Sequence, residues 1–160
     1  IQMPMQSAFI GWKQEPDDYL ERILGHDRLE KLNPIRTFRD NNIVVSFGSD
    51  APCTTPDPIV WMDRAVNNDN AGQAVSVQDA LRMCTYNGAW AAFDEQERGS
   101  LEAGKIADMA VLSENPYTVP KDKLSCLRVE RLYLGGKPYE SCRESILPMM
   151  LRGLTSRNKA

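Results

Sequence analysis

One run of residues, 42–52, constrains the fold of this chain most, because an apolar stretch ends abruptly in a carboxylate and a turn. The run reads Asn-Ile-Val-Val-Ser-Phe-Gly-Ser-Asp-Ala-Pro. The β-branched and aromatic side chains of Ile43, Val44, Val45 and Phe47 are typical of a strand buried on both faces of a parallel sheet. Asp50 then follows the carboxyl end of that strand, where α/β folds place their catalytic and binding groups. The run therefore makes Asp50 the first candidate for a functional residue.

The alternative for Asp50 is a structural one, in which its carboxylate caps the amino terminus of the next helix. Three prolines, at positions 52, 56 and 58, argue against it. Proline is favoured at the first position of a helix, so the helix is expected to begin near Pro58, well beyond Asp50.

Helical and strand patterns alternate along the first 95 residues. The predicted elements are a strand within residues 1–10, helices over 16–24, 27–32 and 34–41, a strand over 43–47, and helices over 58–66, 76–85 and 89–93. Ser76 with Asp79 three residues later fits the start of a capped helix. This alternation predicts β/α units with a parallel sheet.

The pattern changes after Gly99, where turn residues precede two further strands, 106–112 and 129–134. Gly135-Gly136 then predicts a hairpin with a short return strand. We expect these strands to be antiparallel and separate from the β/α part. The predicted organisation is a β/α portion over 1–95, a β portion over 96–141 and a tail over 142–160.

Charge and cysteine content exclude several classes of protein. A net charge of −3 without a basic face argues against a nucleic-acid partner, and no segment is long and apolar enough for a membrane span. The four cysteines form no C-x-x-C pair, which favours reduced thiols in a cytoplasmic protein. His26 is the single histidine, and we interpret it as exposed or capping. Because catalytic zinc sites use about three protein ligands, the chain cannot easily supply such a site by itself.

Secondary candidates lie near the same strand ends. Gln6 could face a substrate, although an ordinary polar strand end is an equally good interpretation. Ser49 is interpreted as holding the loop, with a weaker role in substrate binding, because no histidine is available to activate it as a nucleophile. Cys53 is interpreted as packing and Asp108 as structural. The tryptophans are interpreted as core residues; they are Trp12, Trp61 and Trp90.

Three passages, 47–52, 80–91 and 99–112, together resemble the C-terminal part of the amidohydrolase superfamily, closest to amidohydrolase family 3. Their order and spacing agree with the family over about residues 1–139. The resemblance implies an α/β fold made of the last two β/α units of a (β/α)₈ TIM barrel, plus part of a small β-sandwich. The opening residues would match the seventh strand of the barrel, and residues 43–47 the eighth.

The resemblance also implies a chemistry. Asp50 matches the family aspartate that binds the catalytic metal and accepts a proton from metal-bound water, so Asp50 is expected to be both catalytic residue and metal ligand. The expected reaction is hydrolysis of an amide or other C–N bond of a small molecule, with a divalent metal, zinc being expected.

The family takes its metal-binding histidines from earlier strands that have no counterpart here. We therefore expect an incomplete enzyme that is inactive and metal-free as an isolated chain. The alternative function is a non-catalytic scaffold or self-associating module. Because two β/α units leave the edge of a parallel sheet uncovered, a homo-oligomer is expected in either case.

Overall fold

The computed structural model describes residues 1–11 and 18–139. Its strands and helices, in chain order, are β1 (Gln2–Met5), α1 (Tyr19–Leu24), α2 (His26–Leu29), α3 (Ile35–Asp40), β2 (Val44–Phe47), α4 (Pro58–Val66), α5 (Val77–Cys84), α6 (Tyr86–Ala91), β3 (Met109–Leu112), β4 (Val129–Leu134) and β5 (Lys137–Pro138). Short 3₁₀ helices cover Ser7–Phe9, Ala71–Gln73 and Lys121–Cys126.

Strands β1 and β2 pair in parallel, which confirms the prediction of β/α units. The register runs from Gln2 opposite Val44 to Met5 opposite Phe47. The ladder extends one step further, because the backbone N–H of Gly48 donates to the carbonyl of Met5 at 2.9 Å. β2 begins one residue later than predicted, since the N–H of Ile43 donates to the carbonyl of Phe38 in α3 instead of to the sheet.

An apolar cluster joins helices α3, α4 and α5 to β2. Its least exposed members include Ile35 of α3, Val45 of β2 and Met62 of α4. Leu124 and Leu127, which lie between β3 and β4 in sequence, belong to the same cluster. The connection between two strands of the β portion therefore packs on the β/α part, chiefly on α4.

Strands β3, β4 and β5 form an antiparallel sheet in that order, as predicted. β3 is shorter than predicted and begins just after Asp108. The carboxylate of Asp108 accepts a hydrogen bond from the backbone N–H of Gly135 at 2.8 Å and lies 3.1 Å from a guanidinium nitrogen of Arg98. These contacts tie the β4–β5 turn to the start of the sheet, in agreement with a structural role for Asp108.

The interpretation of the tryptophans as core residues is wrong for two of them. Trp61 and Trp90 are half-buried and lie outside the apolar cluster. The indole N–H of Trp61 donates to the carbonyl of Thr55 at 3.1 Å, because an indole nitrogen needs a partner that a fully apolar core does not offer. Trp12 and the predicted tail, 142–160, fall outside the described residues, and the boundaries of the predicted domains stay predictions.

Among the helices of the described ranges, none has the length and apolar character needed to cross a membrane.

The start of α5 is held by a network that crosses from α5 to α3. The Ser76 hydroxyl accepts from the N–H of Asp79 at 3.1 Å, and the Asp79 carboxylate lies 2.5 Å from a guanidinium nitrogen of Arg39. Burial by itself would raise the pKa of Asp79, but hydrogen bonds from Ser76 and Arg39 outweigh it and leave the pKa lowered. The carboxylate is therefore more stable as an anion in the folded protein.

Asp79→Asn is expected to lower the free energy of unfolding by about 1–2 kcal/mol at pH 7. A lowered folded pKa stabilises the fold above the unfolded value of about 4, and this contribution is lost as the pH falls. The variant should therefore lose less stability than wild type between pH 5 and pH 3, as measured by urea denaturation. Asp122→Asn, at an exposed carboxylate, is the matched control. If Asp79→Asn and Asp122→Asn lost the same amount of stability between pH 5 and pH 3, the stabilising role of the Ser76–Asp79–Arg39 network would be contradicted.

Burial raises the pKa of the Cys84 thiol to about 12. Its Sγ lies 3.7 Å from the carbonyl of Pro58, at the start of α4. The unfolded thiol ionises near pH 8.5, so the unfolded state loses this proton first and stability falls as the pH rises above that value. The slope from one thiol is at most about 1.4 kcal/mol per pH unit.

Cys84→Ala is expected to remove this part of the alkaline slope in thermal denaturation between pH 8 and 10. Cys53→Ala, at an exposed thiol, should keep the slope.

Candidate functional site

The carboxyl ends of β1 and β2 lie at one edge of the parallel pair. Met5 is opposite Phe47 at this edge, so Gln6 follows one strand while Ser49 and Asp50 follow the other. Gln6 and Asp50 are exposed, and Ser49 is half-buried. The fold therefore brings the three predicted site residues to the same edge of the sheet. Their roles in catalysis and substrate binding stay predictions.

Asp50 does not cap a helix. It has a φ of +52°, in the left-handed region, where aspartate is among the few non-glycine residues found repeatedly. α4 begins at Pro58, as predicted, and its cap is Asp57, whose carboxylate accepts from the N–H of Ile59 at 2.9 Å. The structural alternative for Asp50 is thus removed, because the carboxylate is exposed at the sheet edge and the helix has its own cap.

The turn that carries Asp50 is held by three hydrogen bonds within residues 49–54. The Ser49 hydroxyl accepts from the N–H of Ala51 at 3.1 Å. The carbonyl of Asp50 accepts from the N–H of Cys53 at 2.9 Å. The hydroxyl of Thr54 donates to the carbonyl of Ser49. The hydrogen bond of Ser49 agrees with its interpretation as a residue that holds the loop. The interpretation of Cys53 as a packing residue is wrong, because this residue is exposed.

A second set of contacts connects this turn to α4 and to the end of β1. The hydroxyl of Ser7 is fully buried and donates to the carbonyl of Trp61 at 3.0 Å. The indole N–H of Trp61 in turn donates a hydrogen bond to the carbonyl of Thr55, the residue after the turn. The segments that follow β1 and β2 are therefore both hydrogen-bonded to α4, which fixes the two connections relative to each other.

Sequence patterns did not indicate these supporting residues. Ser7 and Thr54 carry no motif, and their partners are set by the folded geometry. Asp57 was detectable, because an aspartate directly before a proline at the first helical position is a strong start signal.

The described residues do not form a metal centre by themselves. Asp50 can offer carboxylate oxygens, but within residues 1–11 and 18–139 no group of three or more His, Cys, Asp or Glu side chains is arranged to hold a metal ion. His26 lies elsewhere, exposed on α2, with its ring nitrogens 3.5 Å from Glu21 and 3.4 Å from Glu30. It agrees with the prediction of an exposed histidine and adds no donor to the strand edge.

Comparisons with known proteins agree with this fold. A model of the amidohydrolase family matches residues 1–139. The N-substituted formamide deformylase of Arthrobacter pascens is 36% identical over 136 residues, which is 81% of this chain and 23% of that protein. The 5-methylthioadenosine/S-adenosylhomocysteine deaminase of Thermoanaerobacter pseudethanolicus is 30% identical over 100 residues, 57% of this chain and 23% of that protein.

A solved structure shows the same arrangement. The crystal structure of a metal-dependent hydrolase from Pyrococcus furiosus superposes with a TM-score of 0.63 at 27% identity, over 74% of this chain and 24% of that one. The chain thus spans about a quarter of the length of these relatives. Since the family model matches residues 1–139 of the 160, this chain belongs to the amidohydrolase family.

Proposed function

We propose that this chain supplies the last two β/α units, and the carboxylate of Asp50, to a metal-dependent hydrolase that cleaves an amide or other C–N bond of a small molecule. The observation that carries the proposal is the exposed Asp50 beyond the carboxyl end of β2 in a member of the amidohydrolase family. A divalent metal, with zinc expected, belongs to this proposal, and most of its ligands would come from polypeptide beyond the described residues.

The role proposed for Asp50 is proton transfer. An exposed carboxylate at the strand edge can accept a proton from the attacking water and then deliver it to the departing nitrogen. The C–N bond breaks, the carbonyl carbon gains the oxygen of water, and an amine leaves. No second carboxylate within the 49–54 turn competes for this role.

The substrate class comes from the relatives. The deformylase of Arthrobacter pascens is named for N-substituted formamides, and the deaminase also bears a name for cleavage at a C–N bond. Because the identity to the deformylase is 36% over most of this chain, an N-substituted formamide is the first substrate to test.

The experiment that tests this function is fragment complementation. The 160-residue chain is co-expressed with the Arthrobacter pascens deformylase from which the matching segment has been removed, and zinc is supplied. We expect hydrolysis of an N-substituted formamide to formate and amine, lost on treatment with a chelator. An assembled complex, verified by size-exclusion chromatography, that shows no hydrolysis would contradict the proposal.

The isolated chain is proposed to be inactive and to hold no stoichiometric metal. Mass spectrometry of the purified chain, beside Asp50→Asn, measures this directly. We expect no stoichiometric metal in either protein. Near-stoichiometric zinc that is lost in Asp50→Asn would instead show that copies of the chain assemble a working site between them.

One observation favours the alternative of a self-associating module. The three residues that open β1, Gln2 to Pro4, are exposed, and Ile1 is 91% exposed beside them. A parallel sheet is ordinarily covered on both faces, so this strand is suited to a partner, and a second copy of the chain is proposed. Light scattering over a concentration series should show a dimer or larger assembly, and a monomer throughout would remove this alternative.

A further inference from the structure

The left-handed backbone of Asp50 has to be held by its surroundings. A non-glycine residue with a φ of +52° occupies a small allowed region, and a free loop would sample other conformations as well. The carbonyl groups of the peptides on both sides of Asp50 accept hydrogen bonds, however. The carbonyl after it accepts from the N–H of Cys53, and the carbonyl before it accepts from the hydroxyl of Thr54.

Thr54 is the side chain that closes this turn. It is half-buried, whereas residues 51–53 before it and residue 55 after it are exposed. The carbonyl of its neighbour Thr55 accepts a hydrogen bond from the indole N–H of Trp61 in α4. The carbonyl of Trp61 accepts one from the hydroxyl of the buried Ser7. The Thr54 hydroxyl therefore connects the peptide before Asp50 to the part of the loop that α4 and the end of β1 keep in place.

We propose that Thr54 is a positioning residue for Asp50. The Thr54 hydroxyl donates to the carbonyl of Ser49 and so holds the backbone of Asp50 in place. The effect of Thr54 on hydrolysis rests on the proposed function, because it requires that Asp50 act in catalysis. The role proposed for Thr54 is exerted through the carbonyl of Ser49 and involves no contact with the reacting atoms. The positioning can be measured without activity, so the two proposals can fail separately.

The test is nuclear magnetic resonance of the full 160-residue chain in four forms: wild type, Thr54→Val, Thr54→Ser and Thr55→Val. Thr54→Val keeps the shape and removes the donor, and Thr54→Ser restores a hydroxyl. Thr55→Val is the matched control, because the contact of Thr55 with Trp61 uses its backbone carbonyl. The readouts are the Cα and Cβ chemical shifts of Asp50, which report its backbone conformation, and its backbone order parameter.

We expect Thr54→Val to move the Asp50 shifts away from left-handed values and to lower its order parameter from about 0.85 toward 0.6 or below. Thr54→Ser and Thr55→Val should match wild type. An unchanged Asp50 in Thr54→Val, or equal changes in Thr55→Val, would overturn the proposal. If Thr54→Val lost dispersion throughout the spectrum, Thr54→Ala would take its place with the same expectations.

A kinetic readout in the complemented enzyme separates the two proposals. Thr54→Val should lower kcat about 10-fold with little change in KM, since Asp50 would act on bound substrate, and Thr54→Ser should restore it. If Asp50→Asn left hydrolysis unchanged while the magnetic-resonance contrast held, the proton-transfer role proposed for Asp50 would be wrong and the positioning of Asp50 by Thr54 would stand.

Discussion

Asp50→Asn is expected to lower the turnover of an N-substituted formamide at least about 100-fold in the complemented enzyme, the usual scale for loss of a proton-transferring group. Asparagine has nearly the same shape and accepts left-handed backbone as readily as aspartate, so the turn at residues 49–54 should persist. What is lost is the negative charge and the ability to accept a proton. Steady-state kinetics of formate release measure the effect.

The control for Asp50→Asn removes a charge of the same kind elsewhere. Asp122 is exposed on the 3₁₀ helix Lys121–Cys126, away from the 49–54 turn in sequence, and Asp122→Asn should leave turnover unchanged. The metal content of the complexes is measured in parallel. Full turnover in Asp50→Asn would show that another group performs the proton transfer, and the central role given to Asp50 would be wrong.

Leu124→Ala is expected to lower the free energy of unfolding by about 2–5 kcal/mol. Leu124 has no exposed surface and packs in the apolar cluster with α4, so truncation leaves a cavity that the neighbouring helix only partly fills. Urea denaturation followed by tryptophan fluorescence is suitable, because Trp61 lies on α4 itself.

The Leu124 variant also tests whether the connection between β3 and β4 unfolds together with the β/α part. A shift of the tryptophan transition to lower urea would show that they unfold together. Leu134→Ala is the matched control, since Leu134 is 49% exposed and its truncation should cost less than about 1 kcal/mol. An unshifted tryptophan transition in Leu124→Ala would mean that the two parts unfold independently.

Local sequence determined the elements whose signals lie within a few residues. The apolar run before Gly48 predicts a buried strand, and the prolines after it exclude a helix at Asp50. α4 follows from Pro58, and the capped start of α5 follows from Ser76 with Asp79. These features depend on backbone preferences and on hydrogen bonds between near neighbours, which a short stretch of sequence contains. The placement of Asp50 at a strand end belongs to this group.

Tertiary structure decided the features that depend on residues far apart in the chain. Ser7 and Trp61 are 54 positions apart, and nothing local indicates that their hydrogen bond joins the end of β1 to α4. The interpretation of Trp61 as core was wrong for the same reason, because the burial of a large ring depends on which segments pack against it after folding. Leu124 and Leu127 were assigned by sequence to the β portion, yet they pack in the cluster of the β/α part.

The sequence by itself thus determined which residue stands beyond the strand and what its carboxylate can do chemically. Only the folded chain decided the surroundings of this residue: the left-handed backbone and exposure of Asp50, a turn closed by Thr54, and a helix hydrogen-bonded to the segments that follow both strands. The physical reason is that a strand end and a helix start are fixed by neighbouring residues, whereas the position of a carboxylate depends on hydrogen bonds and packing between segments that meet only after folding.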